Sequence, residues 1–475
     1  MAEKITNNSE LFKKSVHQAL RAWHTSGGTP ENLLSSLLQV QTRRMELNAE
    51  GSPALMRLAT NEVLLQGIEE LAVQDETAAR VLNLRFPANK SLLMVAHQLN
   101  VSDHTVSRQQ REAINQLAHI LQTQEAVLRQ AHMQKVETSL PPPTYSEMFG
   151  VTDISSSLHQ QIIISEAPWV LALVGIGGIG KTALTNYVVR QIVSDFCFED
   201  IIWLRVPPQN VSSQPLLQSA IFERVVIDLG QYFWADSVAT MPFSQQLVQV
   251  RQRLKAQPYL IIIDNLESES DTAHLLNSLY DVANPSKFIL TTRTRLVEQG
   301  PVFNIVMDEL SLTDAAALLR HHADDIGVQA MASATLEDMQ SIYKVVGGNP
   351  LALKLVVGLL DLLPLPKVLS NLTQSQPGQI EDMYRHIYWQ TWQLLSLNAR
   401  QLLQALPLVA EFGGTLEYLL VLSGMKEAEI WPALQELRLR SLLEVRGNLQ
   451  EKRYGIHRLT ETFLHTEIIH WPIGE

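Results

Sequence analysis

The sequence predicts a multidomain chain of α and α/β class: a helical N-terminal region, an α/β domain built on a parallel sheet, and a helical C-terminal region. Three observations predict it. Four near-continuous apolar runs, "WVLALV" (169–174), "DIIWLRV" (200–206), "YLIII" (259–263) and "FILTT" (288–292), read as parallel strands covered on both faces. A glycine-rich stretch joins the first run to helical spacing, "VGIGGIGKT" followed by "ALTNYVVRQIV". The proline-rich break "SLPPPTYSE" (139–147) forbids helix and divides this region from what precedes it.

Before the break everything reads as helical. Residues 1–70 form an N-terminal helical region, with apolar residues at mixed three and four spacing (Leu11, Val16, Leu20, then Leu33, Leu34, Leu37, Leu38) interrupted by "SGGTP" at 26–30. This region holds no chemical motif. Residues 71–138 contain a helix-turn-helix pattern in "SLLMVAHQLNVSDHTVSRQQREAINQLAHIL" (91–121). Val95, Ala96 and Leu99 give a short helix its inner face, Asn100 suits a left-handed turn, Ser102 or Asp103 suits a cap, and Val106, Ile114 and Leu117 anchor the next helix. Residues 139–148 are the linker, and 149–305 the α/β domain. From about residue 310 the pattern turns helical, with a hairpin-like stretch at 442–457.

Composition narrows the class. One cysteine, Cys197, excludes an internal disulfide framework and is expected to serve packing, and no Cys/His cluster has zinc spacing. No signal peptide is read in the first twenty residues and no apolar run reaches the roughly 18 residues of a membrane span, so a cytoplasmic protein with no membrane partner is expected. The net charge of −12 excludes a nonspecific nucleic-acid coat, yet residues 80–135 alone carry +4 from Arg80, Arg85, Lys90, Arg108, Arg111, Arg129 and Lys135 against Asp103, Glu112 and Glu125.

The stretch from Gly175 to Thr182 matches G-x-x-x-x-G-K-[ST], with Gly177, Gly178, Ile179 and Gly180 inside the loop and Ala183 opening the helix after it. Such glycines let successive backbone N–H groups face phosphate oxygens at a helix N-terminus. Lys181 is then expected to reach the β and γ phosphates and Thr182 to ligate Mg²⁺. Asp264 ends a second buried strand and is the expected metal residue beside Thr182. In "LTTRTR" (290–295), Arg293 is the candidate γ-phosphate sensor. ATP or ADP with Mg²⁺ is therefore the expected ligand, with Lys181, Asp264 and Arg293 the candidate catalytic residues.

The ordered series "GIGGIGKT", "LIIIDN", "LTTRTR", "GGNPLALKL" (347–355) and "YGIHRLTETFL" (454–464) resembles the NB-ARC class of STAND signalling ATPases over residues 149 to about 470. The resemblance implies a helical domain at 306–380, a winged-helix domain at 381–475, ADP in the off state and ATP in the on state, and homo-oligomers when ATP is bound. It implies that Pro350 lies against the base and sugar, and that His457 approaches the β-phosphate of ADP. Three positions depart from the family's pattern. Val151 follows Phe149 and Gly150 where an arginine is usual, so base recognition there is expected from backbone and packing. Arg458 stands at the aspartate after the histidine, which bears on the closed-state lock. Asn265 replaces a second acid after Asp264; an amide cannot take a proton, and general-base help is worth about 10² to 10⁴ in rate. Slow hydrolysis, suited to a timer or latch, is expected.

The helix-turn-helix resembles that of sigma-factor region 4, which implies that His104, Thr105, Ser107, Arg108 and Arg111 face a DNA major groove. Such units also dock proteins. Sensor repeats common in STAND proteins do not follow the last motif in this sequence, so a separate sensor protein, or the helical N-terminal part, is expected to supply the trigger. The expected function is a nucleotide-controlled switch with a helix-turn-helix output. A DNA-stimulated AAA-like turnover ATPase and an interaction scaffold with structural nucleotide stay open at this point.

Overall fold

The computed structural model of the protein describes residues 9–25, 33–47, 53–206, 220–235, 241–266, 269–296, 302–373, 380–409, 413–447 and 450–469. The predicted break at 26–30 lies outside the described residues, as does the tip of the C-terminal hairpin at 448–449. The chain divides into two compact units, Met1–Thr138 with Val193–Cys197, and Ser139–Ile192 with Phe198–Glu475.

The first unit is helical: α1 (Ser9–Arg21), α2 (Leu38–Glu46), α3 (Pro53–Gln74), α4 (Glu76–Arg85), α5 (Leu92–Leu99) and α6 (Asp103–Ser139). Its main core joins Phe12, Val16 and Leu20 of α1 to Leu64 and Ile68 of α3 and to Leu117 and Leu121 of α6. Leu11, predicted to share that face, is instead 43% exposed, because Phe12 takes the inward position. Between α5 and α6 the turn follows the sequence closely. Asn100 adopts the left-handed conformation (φ 59°), Ser102 Oγ accepts from Thr105 N at 3.1 Å, and Val95, Ala96 and Val106 are buried together. Part of the positive charge in this segment is spent internally: Arg85 donates to Gln110 and to the Lys90 carbonyl, and Arg129 Nε pairs with Glu125 at 2.6 Å.

Glu125 is fully buried and acts as a cap for a different helix. Its Oε1 accepts from Leu38 N (2.8 Å) and its Oε2 from Gln39 N (3.3 Å) at the start of α2, so the carboxylate meets the positive end of the α2 dipole and the Arg129 guanidinium together. Nothing local to the α2 sequence marks this partner, which comes from more than eighty residues away.

The second unit is built on five parallel strands, β1 (Val170–Val174), β2 (Asp200–Arg205), β3 (Tyr259–Leu266), β4 (Lys287–Thr292) and β5 (Val302–Val306), in the order β2-β3-β4-β1-β5. Four are the predicted strands. The fifth was not predicted: Asn304 interrupts its apolar run, and the strand is an edge. That asparagine is used, since it bonds both the N–H and the carbonyl of Leu296. The order sets the site: β4 lies between the strand that carries the glycine loop and the strand that carries Asp264. Helices α7 (Thr152–Ile163), α8 (Lys181–Ile192), α9 (Ala220–Trp234), α10 (Phe243–Ala256) and α11 (Glu269–Val282) accompany the sheet.

After the sheet come α12 (Leu312–Ile326), α13 (Leu336–Val346), α14 (Pro350–Leu360), α15 (Leu365–Thr373), α16 (Ile380–Leu394), α17 (Leu397–Ala405), α18 (Leu416–Ser423), α19 (Glu427–Leu439), an antiparallel pair β6 (Glu444–Gly447) and β7 (Lys452–Gly455), and the short α20 (Arg458–Phe463). One hydrophobic cluster, from Ala315 to Leu464, draws on every one of these helices and on Tyr454 of β7. The proline-rich linker is not a free spacer: the Pro141 carbonyl accepts from Asn186 (2.8 Å) and Arg190 (2.9 Å) of α8, and Tyr145 donates to Asn186. Cys197, expected to pack, is exposed. Among the described residues no helix is long and apolar enough to cross a membrane.

Glu125→Ala is expected to destabilise the protein by about 2–3 kcal/mol, because it orphans two helix N–H groups and a partly buried guanidinium. Chemical denaturation checks this. Glu125→Gln, which keeps acceptors but loses the charge, is expected to cost less.

Candidate nucleotide site

The glycine loop leaves β1 at the carboxyl edge of the sheet, where open parallel sheets bind ligands. Gly175 N donates to the Thr292 carbonyl of β4, which fixes the loop's take-off. Gly178 (φ 75°) and Gly180 (φ 102°) adopt backbone conformations that side chains resist. Ile179 is buried and anchors the loop from beneath, whereas Ala183 lies in the first turn of α8, at the rim. The Lys181 ammonium donates to the carbonyls of Gly175 (2.7 Å) and Ile176 (3.0 Å), so the cation is held across the mouth of the loop.

Asp264 is fully buried at the end of β3. Its Oδ1 accepts from two hydroxyls, Thr182 Oγ1 at 2.8 Å from the start of α8 and Thr291 Oγ1 at 2.6 Å from β4. Among the described residues its Oδ2 has no hydrogen-bond partner, and it lies 3.9 Å from Arg205 Nε. A buried carboxylate oxygen without a donor is costly. That oxygen, with the Thr182 hydroxyl beside the same carboxylate, is the donor chemistry a Mg²⁺ ion takes. The predicted metal pair therefore fits the ion, and Thr291 and Arg205 are the partners that the sequence reading did not assign.

Asn265 follows in a left-handed conformation (φ 76°), at a shift of register between β3 and β4, and its N–H donates to Thr291 Oγ1 at 2.8 Å. Asparagine tolerates this backbone region far better than a bulkier residue does. The amide at this position thus has a conformational reason besides any chemical one. Its carbonyl accepts from Arg458 Nη1 at 3.3 Å. Two of the three departures from the family pattern are therefore in contact with one another.

A second segment reaches the loop from α14. Asn349 caps that helix, its Oδ1 accepting from Leu351 N and Ala352 N, and Pro350 takes the first helical position, where its missing N–H costs nothing. The same Asn349 donates Nδ2 to the Gly177 carbonyl at 2.9 Å, and Leu351 N donates to the Gly178 carbonyl at 3.3 Å. Tyr384 of α16 is buried and donates to Asn349 Oδ1 at 2.6 Å. A Cβ on Gly178 would fall 2.5 Å from the Tyr384 hydroxyl. Asn349 sits inside a quoted motif, but Tyr384, thirty-five residues on in a plain amphipathic helix, carries no sequence signal.

The third segment is the start of α20. His457 caps it with Nδ1, which accepts from Leu459 N at 3.1 Å, so the neutral ring carries its proton on Nε2. Burial holds its pKa below the usual imidazole value; Glu444 opposes this, while Lys354, Arg446 and Lys181 add to it. Leu459 and Arg293 both flank Gly177, the Arg293 guanidinium lying 3.8 Å from where a Cβ on Gly177 would stand. All three segments line one cavity of about 1400 Å³ together with Phe149, Gly150, Val151, His322 and Lys354. Gly150 is left-handed (φ 65°), packed so that a Cβ would meet Leu310 and Asp314, and the Phe149 ring lies 5.5 Å from that of His321. Val151 begins α7 without a side-chain cap and brings an apolar surface to this end. The predicted DNA-facing residues belong to the other unit. There His104, Ser107, Arg108 and Arg111 are exposed on α6, while Thr105 is half-buried because its hydroxyl bonds Ser102.

His322 touches Ser441 Oγ at 2.8 Å, and burial, reinforced by Lys354, His321 and Arg438, pushes its pKa down to about 3. The unfolded chain takes up these protons near the ordinary 6.5. Stability is therefore expected to be complete above that pH and to fall as the pH drops toward 3, by about 1.4 kcal/mol per pH unit for each such histidine. The pH dependence of the urea midpoint measures it, and His322→Gln should remove one histidine's share of the slope.

The NB-ARC domain model matches residues 152–323. A putative disease resistance protein of Arabidopsis thaliana is 23% identical over 255 residues, 52% of this chain and 26% of that protein. A putative late blight resistance protein homolog of Solanum demissum is 29% identical over 225 residues, 46% of this chain and 17% of that protein. The chain thus spans about a quarter or less of the length of these two relatives. Among solved structures, a STAND protein with a tetratricopeptide repeat sensor from Pyrococcus horikoshii aligns over 69% of this chain and 43% of its own, at 19% identity and a TM-score of 0.42. Residues 152–323, the stretch that holds the glycine loop, Asp264 and Arg293, thus carry an NB-ARC domain.

Proposed function

We propose that the protein is a nucleotide-controlled signalling switch that binds ADP in a closed state and ATP in an open, oligomerising one, and that hydrolyses ATP slowly. The observation that carries this reading is the meeting of three segments at the glycine loop: Asn349 and Leu351 hydrogen bond to Gly177 and Gly178, and Leu459 packs beside them. A ligand contacting all three favours one arrangement of the segments, which is the requirement for a ligand-biased equilibrium. Lys181 binds phosphate, Pro350 and the Phe149–Val151 turn hold the base and sugar, His457 offers its Nε2 proton to the diphosphate, and Arg293 senses the third phosphate. Mg²⁺, held by Thr182 and Asp264, supplies charge neutralisation on the phosphate oxygens. The absence of a second carboxylate at Asn265 removes the side chain best suited to take a proton from water. The elements from α17 to α20 serve as a winged-helix module that carries His457.

Nucleotide extracted from the purified protein is expected to be ADP, and the assembly is expected to grow when a non-hydrolysable ATP analogue replaces it, as read by light scattering. Lys181→Ala should abolish retention of nucleotide while the protein stays folded. Single-turnover hydrolysis is expected to be slower than about one per second; a faster rate, stimulated by DNA, would favour a turnover motor instead.

The first unit is the output, with α5 and α6 acting as a helix-turn-helix. His104, Ser107, Arg108 and Arg111 follow i, i+3, i+4, i+7 spacing and share one exposed face of α6, which suits a groove lined by phosphates and base edges. A specific observation favours a second reading, a protein dock: Leu93 and Met94 on α5 are 71% and 58% exposed. Duplex DNA is expected to bind the full-length protein at about 50 mM salt and to weaken steeply as salt rises, with Arg108→Ala and Arg111→Ala each lowering affinity. No binding at that ionic strength leaves the dock.

A further inference from the structure

Lys354 lies one helical turn beyond Pro350 and Leu351 on α14, and all three line the cavity. The turn is pinned, because Ser441 Oγ donates to the Lys354 carbonyl at 2.8 Å and is itself bonded to His322. Among the described residues no acceptor lies within hydrogen-bonding distance of its ammonium, and no carboxylate lies within ion-pairing distance. The acids nearest in its field have other partners. Glu444 is paired with Arg446, and Asp325 lies 3.6 Å from Arg438. Lys354 is therefore the surplus cation of this cluster. The side chain is half-buried and faces the cavity without an acceptor, and burial holds its pKa below the ordinary lysine value. Its field reaches His457, as does that of Lys181. Two lysines, one from the glycine loop and one from α14, thus converge on the imidazole that faces the ligand.

We propose that Lys354 is a second phosphate-binding lysine, whose ammonium takes an oxygen of the β-phosphate of a nucleoside diphosphate and so ties α14 to the ligand from the side opposite Lys181. The inference rests on the nucleotide reading of this cavity. It also accounts for the lack of an acid beside Lys354: the ligand itself is the missing counter-ion. Because Lys181 rides on the sheet and Lys354 on the helical segment, a β-phosphate gripped by both selects the arrangement in which the two are close, and a nucleotide without that phosphate does not.

The test is titration calorimetry of ADP and AMP against the full-length protein, Lys354→Met and Lys354→Arg. The methionine is expected to weaken ADP by about tenfold or more, the value of one charge-assisted contact, while AMP changes by less than about threefold; the arginine should recover most of the ADP affinity. Equal losses for ADP and AMP would assign Lys354 a structural role and overturn the proposal, as would a methionine variant that binds ADP like the unaltered protein. Should the unaltered protein fail to bind ADP at all, the nucleotide reading falls and this inference with it. Loss of the Lys354 effect alone leaves that reading intact.

Discussion

A carboxylate with no access to water and only one of its two oxygens satisfied governs the nucleotide end of this protein. Asp264 is brought there by strand order: with β4 lying between β3 and β1, Thr291 stands within reach of it, and so does Thr182 at the start of α8. Each hydroxyl donates to the same oxygen, so the other remains directed at the cavity and at Arg205. Leaving a buried acceptor in this condition costs on the order of 1–3 kcal/mol, a cost that a bound cation removes. The sheet holds a half-satisfied charge in a fixed place, and the glycine loop is arranged around it.

The outer segments are tied to this centre by a continuous ladder. The Gly177 carbonyl meets Asn349, Asn349 meets Tyr384, the Tyr384 ring stacks over Tyr388 (6.3 Å), and Tyr388 both accepts from Thr460 Oγ1 and stacks on Phe463 (5.3 Å). Helix α16 is the common rail, presenting Tyr384 toward α14 and Tyr388 toward α20. Burial pushes the Tyr384 and Tyr388 hydroxyls well above the ordinary phenol range, so both remain neutral donors and acceptors. Packed aromatic rings and short hydrogen bonds resist gradual deformation, so these elements hold their places together.

Much of this was legible in the sequence where a local rule governs the outcome. The continuous apolar runs gave four of five strands, Asn100 gave its left-handed turn, and the glycine loop and Asp264 lie at the predicted sheet edge. What stayed hidden is long-range. Glu125 capping α2, Tyr384 gripping Asn349 and Arg458 meeting the Asn265 carbonyl each join residues between thirty-five and almost two hundred positions apart, and no periodicity or propensity marks such pairs. Asn304 misled for a related reason: a polar residue in an apolar run reads as a break, although here its amide bonds the backbone of Leu296 at the sheet's margin.

The left-handed Gly178 has a consequence for how loss-of-function changes in this loop are understood. Its missing side chain leaves the room that Tyr384 and Leu351 occupy: an added carbon would stand only 2.5 Å from the Tyr384 hydroxyl and 2.9 Å from the Leu351 Cβ, closer than packed atoms come. A substitution there would not merely spoil a phosphate cradle; it would act as a wedge under α14 and α16, prising the helical segments away from the sheet. Chemistry and mechanics share one atom's worth of space at this residue, so a change there cannot silence the first while leaving the second as it was.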